Sequence, residues 1–212
     1  FASCSTLGEV QSKKVSLNAA SLVKVSSTIA VGTIPSEYQS AHTTDLKPYT
    51  LPTISLNQLS AKVELVGFNY SYTGETGANM EEPTVELVST SLVNAKTTSY
   101  LYTQDSNATY TTIADQKLDS SLKFSCYTFQ NSDASNKTSL QLTVKVGNKT
   151  TAKTYTVKTP NGTSYDEVVK AGYIYKVTVN LTVNRILKIF DVTLHYEAVP
   201  MDQITVNVPT FD

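Results

Sequence analysis

The sequence predicts an all-β protein, because apolar and polar residues alternate along several stretches and turn-forming residues separate these stretches. The clearest alternation runs through residues 140–146, 175–183 and 190–196, where Leu, Val, Tyr or Phe occupies every second position. Each run puts one apolar face toward a core and one polar face toward water, as antiparallel sheets do. The chain is also rich in Val, Thr and Tyr, with 13 tyrosines and no tryptophan, a composition that suits pleated sheets. We therefore expect an antiparallel β-sandwich.

Residues that favour turns lie between the alternating runs. Gly147 and Asn148 follow the run at residues 140–146 and predict a hairpin to a strand at residues 154–157. A second hairpin is predicted at Pro160-Asn161-Gly162, since Asn and Gly tolerate positive φ. The best helix candidate, residues 115–121, is short and poorly amphipathic. Many short strands at this spacing favour a sandwich over a fold of alternating strands and helices.

A domain boundary is predicted at residues 33–53, where prolines and polar residues gather and apolar residues are few. Two strands are expected before it, at residues 15–17 and 22–31. These are too few for a complete sandwich. We therefore divide the chain into residues 1–50, a reduced or truncated N-terminal β region, and residues 51–212, a C-terminal β-sandwich domain with an extended C-terminal strand.

Composition and charge argue against several classes of function. Charged residues make up 17% of the chain, Ser and Thr fill about a quarter of it, and the formal net charge is −1. No basic surface is therefore expected for nucleic acid or for an anionic membrane. No stretch approaches the roughly 20 apolar residues of a membrane-spanning helix.

No pattern in the sequence predicts catalysis, a metal site or a cofactor. His42 and His195 are far apart in sequence, and neither stands in a metal-binding motif. Glu81 and Glu82 are adjacent in a predicted loop, so their carboxylates point in different directions and do not form an acid/base pair. We expect that the protein is not an enzyme.

The two cysteines leave alternatives open. The start of the chain, Phe1-Ala2-Ser3-Cys4-Ser5, resembles the end of a bacterial lipoprotein signal, in which the cysteine is lipidated. Cys4 is otherwise an incidental residue or the partner of Cys126 in a disulfide. Cys126 lies in the predicted strand at residues 122–129, where we favour a small buried apolar residue.

Alternation of apolar and polar residues predicts a strand in the C-terminal residues 203–212. Its apolar positions are Ile204, Val206, Val208 and, less regularly, Phe211. Such a strand either completes its own sheet or is donated to the sheet of a neighbouring molecule. The residues themselves favour completion of its own sheet, with donation to a neighbour as the alternative.

Four segments resemble, in the same order, the fimbrillins, the major fimbrial subunits of Bacteroidales. These segments are residues 54–65, residues 85–99, residues 126–131 followed by 138–140, and residues 172–179. The first is similar to the strand that opens the second fimbrillin domain, and the second to a strand-turn with a central Asn, here Asn94. The third is similar to a hairpin with Asn and Thr, here Asn131 and Thr138, and the fourth to a Tyr-containing strand. The chain departs from the family pattern at Gln58, where arginine is usual, and at Gln130, where glutamate is usual.

The resemblance implies a transthyretin-like β-sandwich that is exported as a lipoprotein precursor and attached to the outer membrane. It also implies polymerisation by donor-strand exchange. A protease cuts after Arg or Lys and removes a strand, and the C-terminal segment of a neighbour fills the groove. The donor residues would be Ile204, Val206, Val208 and Phe211. The one arginine, Arg185, lies in a predicted strand, so it offers no obvious cutting site.

We therefore predict an extracellular structural pilin, the stalk subunit of a fimbria used in cell adhesion. Its partners would be neighbouring fimbrial subunits, together with a host receptor or other bacteria. One alternative is a tip or accessory adhesin that binds a host glycan or protein on loops such as residues 73–83. A second alternative is a glycosylated surface filament protein of another lineage, because six Asn-x-Ser/Thr sequences occur.

Overall fold

The described part of the computed structural model consists mainly of β-strands. The structure describes residues 6, 9–10, 12–20, 22–26, 54–75, 81–101, 108–202 and 204–206. The strands are β1 Lys14–Ser16, β2 Lys24–Ser26, β3 Ile54–Gln58, β4 Ser60–Thr73, β5 Val85–Lys96, β6 Thr98–Tyr100, β7 Tyr110–Ala114, β8 Phe124–Phe129, β9 Ser139–Val146, β10 Lys149–Thr156, β11 Thr159–Asn161, β12 Ser164–Asp166, β13 Tyr173–Asn184, β14 Phe190–Pro200 and β15 Ile204–Val206. No helix in these ranges is long and apolar enough to span a membrane.

Two four-stranded sheets pack face to face and form the sandwich that the alternation predicts. The first sheet has the order β14-β13-β4-β8, and the second has the order β10-β9-β5-β7. The predicted hairpin at Gly147 joins β9 to β10, and the glycine has a positive φ of 58°. The predicted hairpin at Gly162, with φ of 60°, joins β11 to β12. The all-β fold class is confirmed.

The pairing of the two central strands β4 and β13 differs from the predicted antiparallel arrangement. β13 pairs with β4 in parallel, from Ile174 opposite Lys62 to Asn184 opposite Thr73. Between these two strands the chain crosses to the second sheet twice, for β5 and β7 and again for β9 and β10, and such a long connection permits parallel pairing. On its other side β13 pairs antiparallel with β14.

The main core lies between the two sheets and comes from the alternating positions. β13 buries every second residue from Tyr175 to Val183, while the residues between them are half-buried or exposed. The opposing layer comes from β9, whose buried residues include Leu140, Leu142 and Val144. The period of two therefore sets which side chains face the core.

A smaller core lies beside the sandwich and involves the N-terminal strands. Its buried residues are Leu59, Leu101 and Phe129, and partly buried apolar residues from the first 25 positions pack on them. β1 pairs with β6, and β2 pairs with β3. Residues 27–31 of the predicted second strand lie outside the described residues, as does the predicted boundary.

Three motif residues of the fimbrillin resemblance, Asn94, Asn131 and Thr138, meet at one place in the sandwich. Asn94 has a positive φ of 53° but lies within β5, so the expected turn is wrong and a bulge stands there instead. The Thr138 hydroxyl donates to the carbonyl oxygen of Asn94 at 2.9 Å. The side-chain amide of buried Asn131 donates to the Thr138 hydroxyl at 3.0 Å and to the carbonyl oxygen of Asn136 at 2.7 Å. These residues fix the β8–β9 connection onto β5.

Candidate subunit-docking strand

The C-terminal strand β15 lies at the edge of a three-stranded sheet with the order β15-β3-β2. It pairs antiparallel with β3 through three residue pairs, Ile204 with Leu56, Thr205 with Ser55 and Val206 with Ile54. β2 occupies the other edge of β3, also through three pairs. Only this short ladder therefore joins the described part of β15 to its sheet.

The chain is held firmly just before β15. The Met201 amide donates to the carbonyl oxygen of Gly172 at 2.7 Å, and the Gly172 amide donates to the carbonyl oxygen of Ser60 at 2.9 Å. The Lys24 ammonium donates to the carbonyl oxygen of Asp202 at 3.4 Å. Met201 and Asp202, which directly precede the C-terminal segment, are thus fixed by these hydrogen bonds. This holds whether the segment pairs with its own sheet or with a neighbour.

Gln58 explains how β3 is joined to the sandwich. Its side chain is buried, and its amide donates to the carbonyl oxygen of Val23 at 3.2 Å and to the Ser60 hydroxyl at 3.0 Å. The Leu59 amide donates to the same Val23 carbonyl oxygen at 3.0 Å. Leu59 is the single residue between β3 and β4. Because a buried charge is costly without a partner, the neutral amide suits this position.

The described residues include only part of the predicted donor segment. Ile204 and Val206 lie in β15, whereas Val208 and Phe211 lie outside the described residues. The pairing of β15 with β3 of the same chain is the arrangement in which the strand completes its own sheet. Donation to a neighbour stays a prediction.

Cys126 occupies the middle of β8, opposite Val63 of β4. It is a free thiol with 0% of its surface exposed, and burial raises its pKa to about 12. The side chain therefore packs as a small apolar residue. Cys4, its potential disulfide partner or a lipidation site, lies outside the described residues.

The described polar residues that were considered for chemistry, His195, Glu81 and Glu82, lie in different places and form no shared site. His195 is exposed on β14 opposite Thr178, and His42 lies outside the described residues. Glu82 accepts hydrogen bonds from Arg185 at 3.0 and 3.3 Å, and its neighbour Glu81 is exposed. Arg185 follows the last residue of β13, so it stands in a turn and not in the predicted strand. In the described part of the chain, no group of three His, Cys, Asp or Glu side chains could hold a metal ion.

Sequence reasoning missed a cleft between β4 and β5. It has a volume of about 590 Å³, and its apolar lining includes Phe68, Tyr70, Val85 and Leu87. The available signal was the interruption of alternation by adjacent apolar residues, Leu65-Val66 in one strand and Leu87-Val88 in the other. Each interruption coincides with a register shift in the sheet.

Comparisons with known proteins relate this architecture to solved structures. No family model matches the chain, and no curated protein matches it. A crystal structure of a candidate cell adhesion protein from Parabacteroides distasonis ATCC 8503 is similar, with a TM-score of 0.65 and 14% sequence identity, over 94% of this chain and 72% of that one. A crystal structure of a fimbrilin from Porphyromonas gingivalis W83 is also similar, with a TM-score of 0.56 and 15% identity, over 92% of this chain and 75% of that one. The chain therefore has the β-sandwich fold of these Bacteroidales structures, as the fimbrillin resemblance implied.

Proposed function

We propose that this protein is the stalk subunit of a surface fimbria, which polymerises by donor-strand exchange and serves cell adhesion. In this proposal it is a structural protein without catalytic activity, exported as a lipoprotein precursor, and its fimbria is attached to the outer membrane. The observation that carries the proposal is the edge position of β15, which pairs with β3 through three residue pairs among the described residues. The shared fold with a fimbrilin supports it.

β15 can form backbone hydrogen bonds and bury apolar side chains either in its own sheet or on a neighbouring subunit. On β3 its backbone groups pair along a short ladder, and an equivalent strand site on a neighbour offers the same kind of bonds. Burial of the side chains of Ile204, Val206 and Val208 would contribute very roughly 5 kcal/mol in total, before the entropic cost of ordering the segment. Donation from one subunit to the next is a head-to-tail contact, which builds an open filament and not a closed ring.

Removal of the donor segment tests the proposal. A chain that lacks residues 203–212 should remain folded and soluble but form no filaments in electron micrographs. Val206→Asp should have nearly the same effect, because it places a charge where the proposal requires an apolar contact. Thr205→Ser, in the same strand, is the matched control and should polymerise normally. Normal filaments from the deletion variant would contradict donation from this end.

A reversible lock gives a second test. Ser55 is exposed and lies opposite Thr205 in the β3–β15 ladder, so the pair Ser55→Cys and Thr205→Cys should form a disulfide within one chain. Cys4→Ser removes the competing thiol. The oxidised chain should stay monomeric, and a reducing agent should restore polymerisation. Filaments formed by the oxidised, monomer-locked chain would overturn the proposal.

A tip or accessory adhesin is the second candidate function, favoured by the way Arg185 holds the loop after β4. Arg185 donates to the carbonyl oxygen of Gly74 at 3.2 Å and to Glu82 at 3.0 Å, and it lies 5.3 Å from the centre of the Tyr72 ring. These contacts tie together the two sides of the loop that would bind a host glycan or protein. A tip subunit should not donate a strand, so the deletion experiment separates this function from the first.

A further inference from the structure

The hairpin of β11 and β12 carries the only Asn-Gly sequence in the chain. Its two-residue turn is Gly162-Thr163, and Asn161 pairs with Ser164 directly beside the turn. Gly162 has a positive φ of 60°, the conformation that a type II′ turn requires at its first central position. All four residues are exposed. The Asn161-Gly162 sequence therefore lies at a solvent-facing hairpin tip.

Asn161 and Gly162 have the groups that form a succinimide ring. In this reaction the backbone nitrogen of the following residue attacks the side-chain amide carbon of asparagine. The Gly162 nitrogen donates no hydrogen bond to any of the described residues. The space where a side chain of residue 162 would stand is also open, with no atom within 4 Å apart from the chain neighbours. The attacking nitrogen therefore has neither a hydrogen-bond partner nor steric cover.

The side chain of Asn161 is held by Asp166 on the opposite strand. Its Nδ2 atom donates to both carboxylate oxygens of Asp166, at 3.1 and 3.2 Å. Asp166 is half-buried, and the Lys170 ammonium lies 3.7 Å from its Oδ2. These hydrogen bonds fix the amide on β12, whereas ring closure requires the side chain to turn back onto its own backbone. Asp166 thus opposes a reaction that the exposed turn otherwise permits.

The base of the hairpin is fixed more firmly than its tip. The Thr159 hydroxyl donates to the carbonyl oxygen of Val168 at 2.6 Å and lies 2.7 Å from the Tyr175 phenol oxygen. The Lys170 amide donates to the same phenol oxygen at 2.7 Å. Thr159 and Tyr175 are buried, while the exposed tip ends a ladder of three residue pairs. Because exposed hydrogen bonds at the end of a short ladder open locally, the tip can open while the sandwich stays folded.

We infer that Asn161 is a deamidation site of the folded protein, with Gly162 as the attacking residue and Asp166 as the group that slows the reaction. When the tip opens, the Gly162 nitrogen bonds to the side-chain carbonyl carbon of Asn161 and gives its proton to solvent. The amide group takes up a proton and leaves as ammonia, so that a succinimide ring remains. Water then adds to either ring carbonyl, and the ring opens to aspartate or isoaspartate. The inference does not depend on the proposed function.

The product changes the hairpin that forms it. A carboxylate at position 161 repels the Asp166 carboxylate, to which the amide had donated two hydrogen bonds. Isoaspartate also lengthens the backbone by one carbon atom and so disturbs the register of β11 with β12. Tyr165, beside Asp166, packs its ring 6.5 Å from the ring of Tyr196. The reaction therefore loosens the strand pair that packs on Tyr196, and it leaves an irreversible mark that accumulates with the age of the chain.

Peptide mapping of the full chain, aged at physiological temperature, tests the site. Trypsin releases residues 159–170 as one peptide, in which Asn161 is the only asparagine. Mass spectrometry should find this peptide converted to two products of equal mass, the aspartate and isoaspartate forms, which chromatography separates. Asn148 is the matched control, since it is exposed in a two-residue turn between β9 and β10 but precedes Lys149. It should stay unmodified over the same period. An unchanged peptide 159–170, or equal conversion of Asn148, would overturn the assignment.

The role of Asp166 has its own test. Asp166→Ala should speed the conversion of Asn161 in the folded chain about fivefold, because it removes the two hydrogen bonds that hold the amide. Glu167→Ala is the matched control, since Glu167 forms its ion pairs with Lys137 and Lys158, and it should leave the rate unchanged. In urea all three chains should convert at the same rate, because the folded hairpin is absent. An equal or slower rate for folded Asp166→Ala would show that Asp166 does not hold the reaction back.

Two fixed variants test the effect of the product. Asn161→Asp carries the new charge, whereas Asn161→Ser loses the same amide bonds without a charge. Backbone amides of residues 161–166 should exchange with deuterium about twofold faster in Asn161→Asp than in Asn161→Ser at low salt, and added salt should reduce the difference. Amides of β13 should exchange equally in both variants, because the base of the hairpin stays anchored. Equal exchange of residues 161–166 at low salt would overturn repulsion from Asp166 as the effect.

Discussion

The phenol oxygen of Tyr196 lies 2.9 Å from the carbonyl oxygen of Thr156, to which it donates a hydrogen bond. Tyr196 belongs to β14 of the first sheet and Thr156 to β10 of the second. These strands form the edges opposite β8 and β7. The sandwich is therefore bridged at one side by a buried tyrosine, whereas at the other side it carries the cleft.

Tyr196→Phe should destabilise the folded chain by about 1 kcal/mol, because it removes this hydrogen bond and keeps the aromatic ring. Urea unfolding followed by circular dichroism would measure the change. Tyr165→Phe is the control, since Tyr165 is 49% exposed, and it should change the free energy of unfolding by less than about 0.5 kcal/mol. Equal effects of the two substitutions would show that the bridge contributes nothing.

Stability should fall as the pH rises above about 10, the usual pKa of tyrosine. Burial, with a smaller contribution from the nearby Tyr155, raises the pKa of Tyr196, and burial likewise raises the pKa of Tyr175. Above that pH the unfolded chain has lost protons that the folded chain still holds, so unfolding becomes more favourable. Below it this contribution is fully present.

The measurement is the free energy of unfolding in urea between about pH 9 and about pH 11. Tyr196→Phe should show a shallower loss than the unchanged protein, since phenylalanine does not titrate. A loss of the same steepness in both proteins would rule out a contribution from Tyr196.

Cys126 should resist thiol reagents in the folded protein, because its thiol is buried and its pKa is raised to about 12. A Cys4→Ser chain treated with a chromogenic disulfide reagent should react only after unfolding. Cys126→Ser should cost about 1–3 kcal/mol, since it puts a hydroxyl among apolar neighbours. Rapid labelling without denaturant would show that β8 opens readily.

Asn131→Ala should cost about 2 kcal/mol, because the amide bonds to Thr138 and Asn136 are lost in a buried place. The readout is the midpoint and slope of the urea transition. Asn69→Ala is the matched control, since exposed Asn69 bonds only with the Asn180 side chain among the contacts described for it. It should change stability by less than about 0.5 kcal/mol. A mild effect of Asn131→Ala would mean that the β8–β9 connection holds without it.

Several features of the fold followed from the sequence because they depend on local chemistry. The alternation of residues 175–183 predicts a strand with one buried face, and β13 buries that face. Gly147 and Gly162 predict two hairpin turns, since glycine adopts positive φ without strain. These signals act between neighbours in the chain, so they can be read without knowing which strands pair.

What only the tertiary structure decided is the partner of each strand and the consequences of that pairing. The parallel ladder of β13 with β4, the bulges at Val66 and Val88, and the position of Ile204 opposite Leu56 join residues that are distant in sequence. Alternation indicates that a strand has an apolar face, but it does not indicate which neighbouring strand or sheet covers that face. The pairing, and with it the cleft between β4 and β5, arises only when two complete sheets pack together and their edges end at different residues.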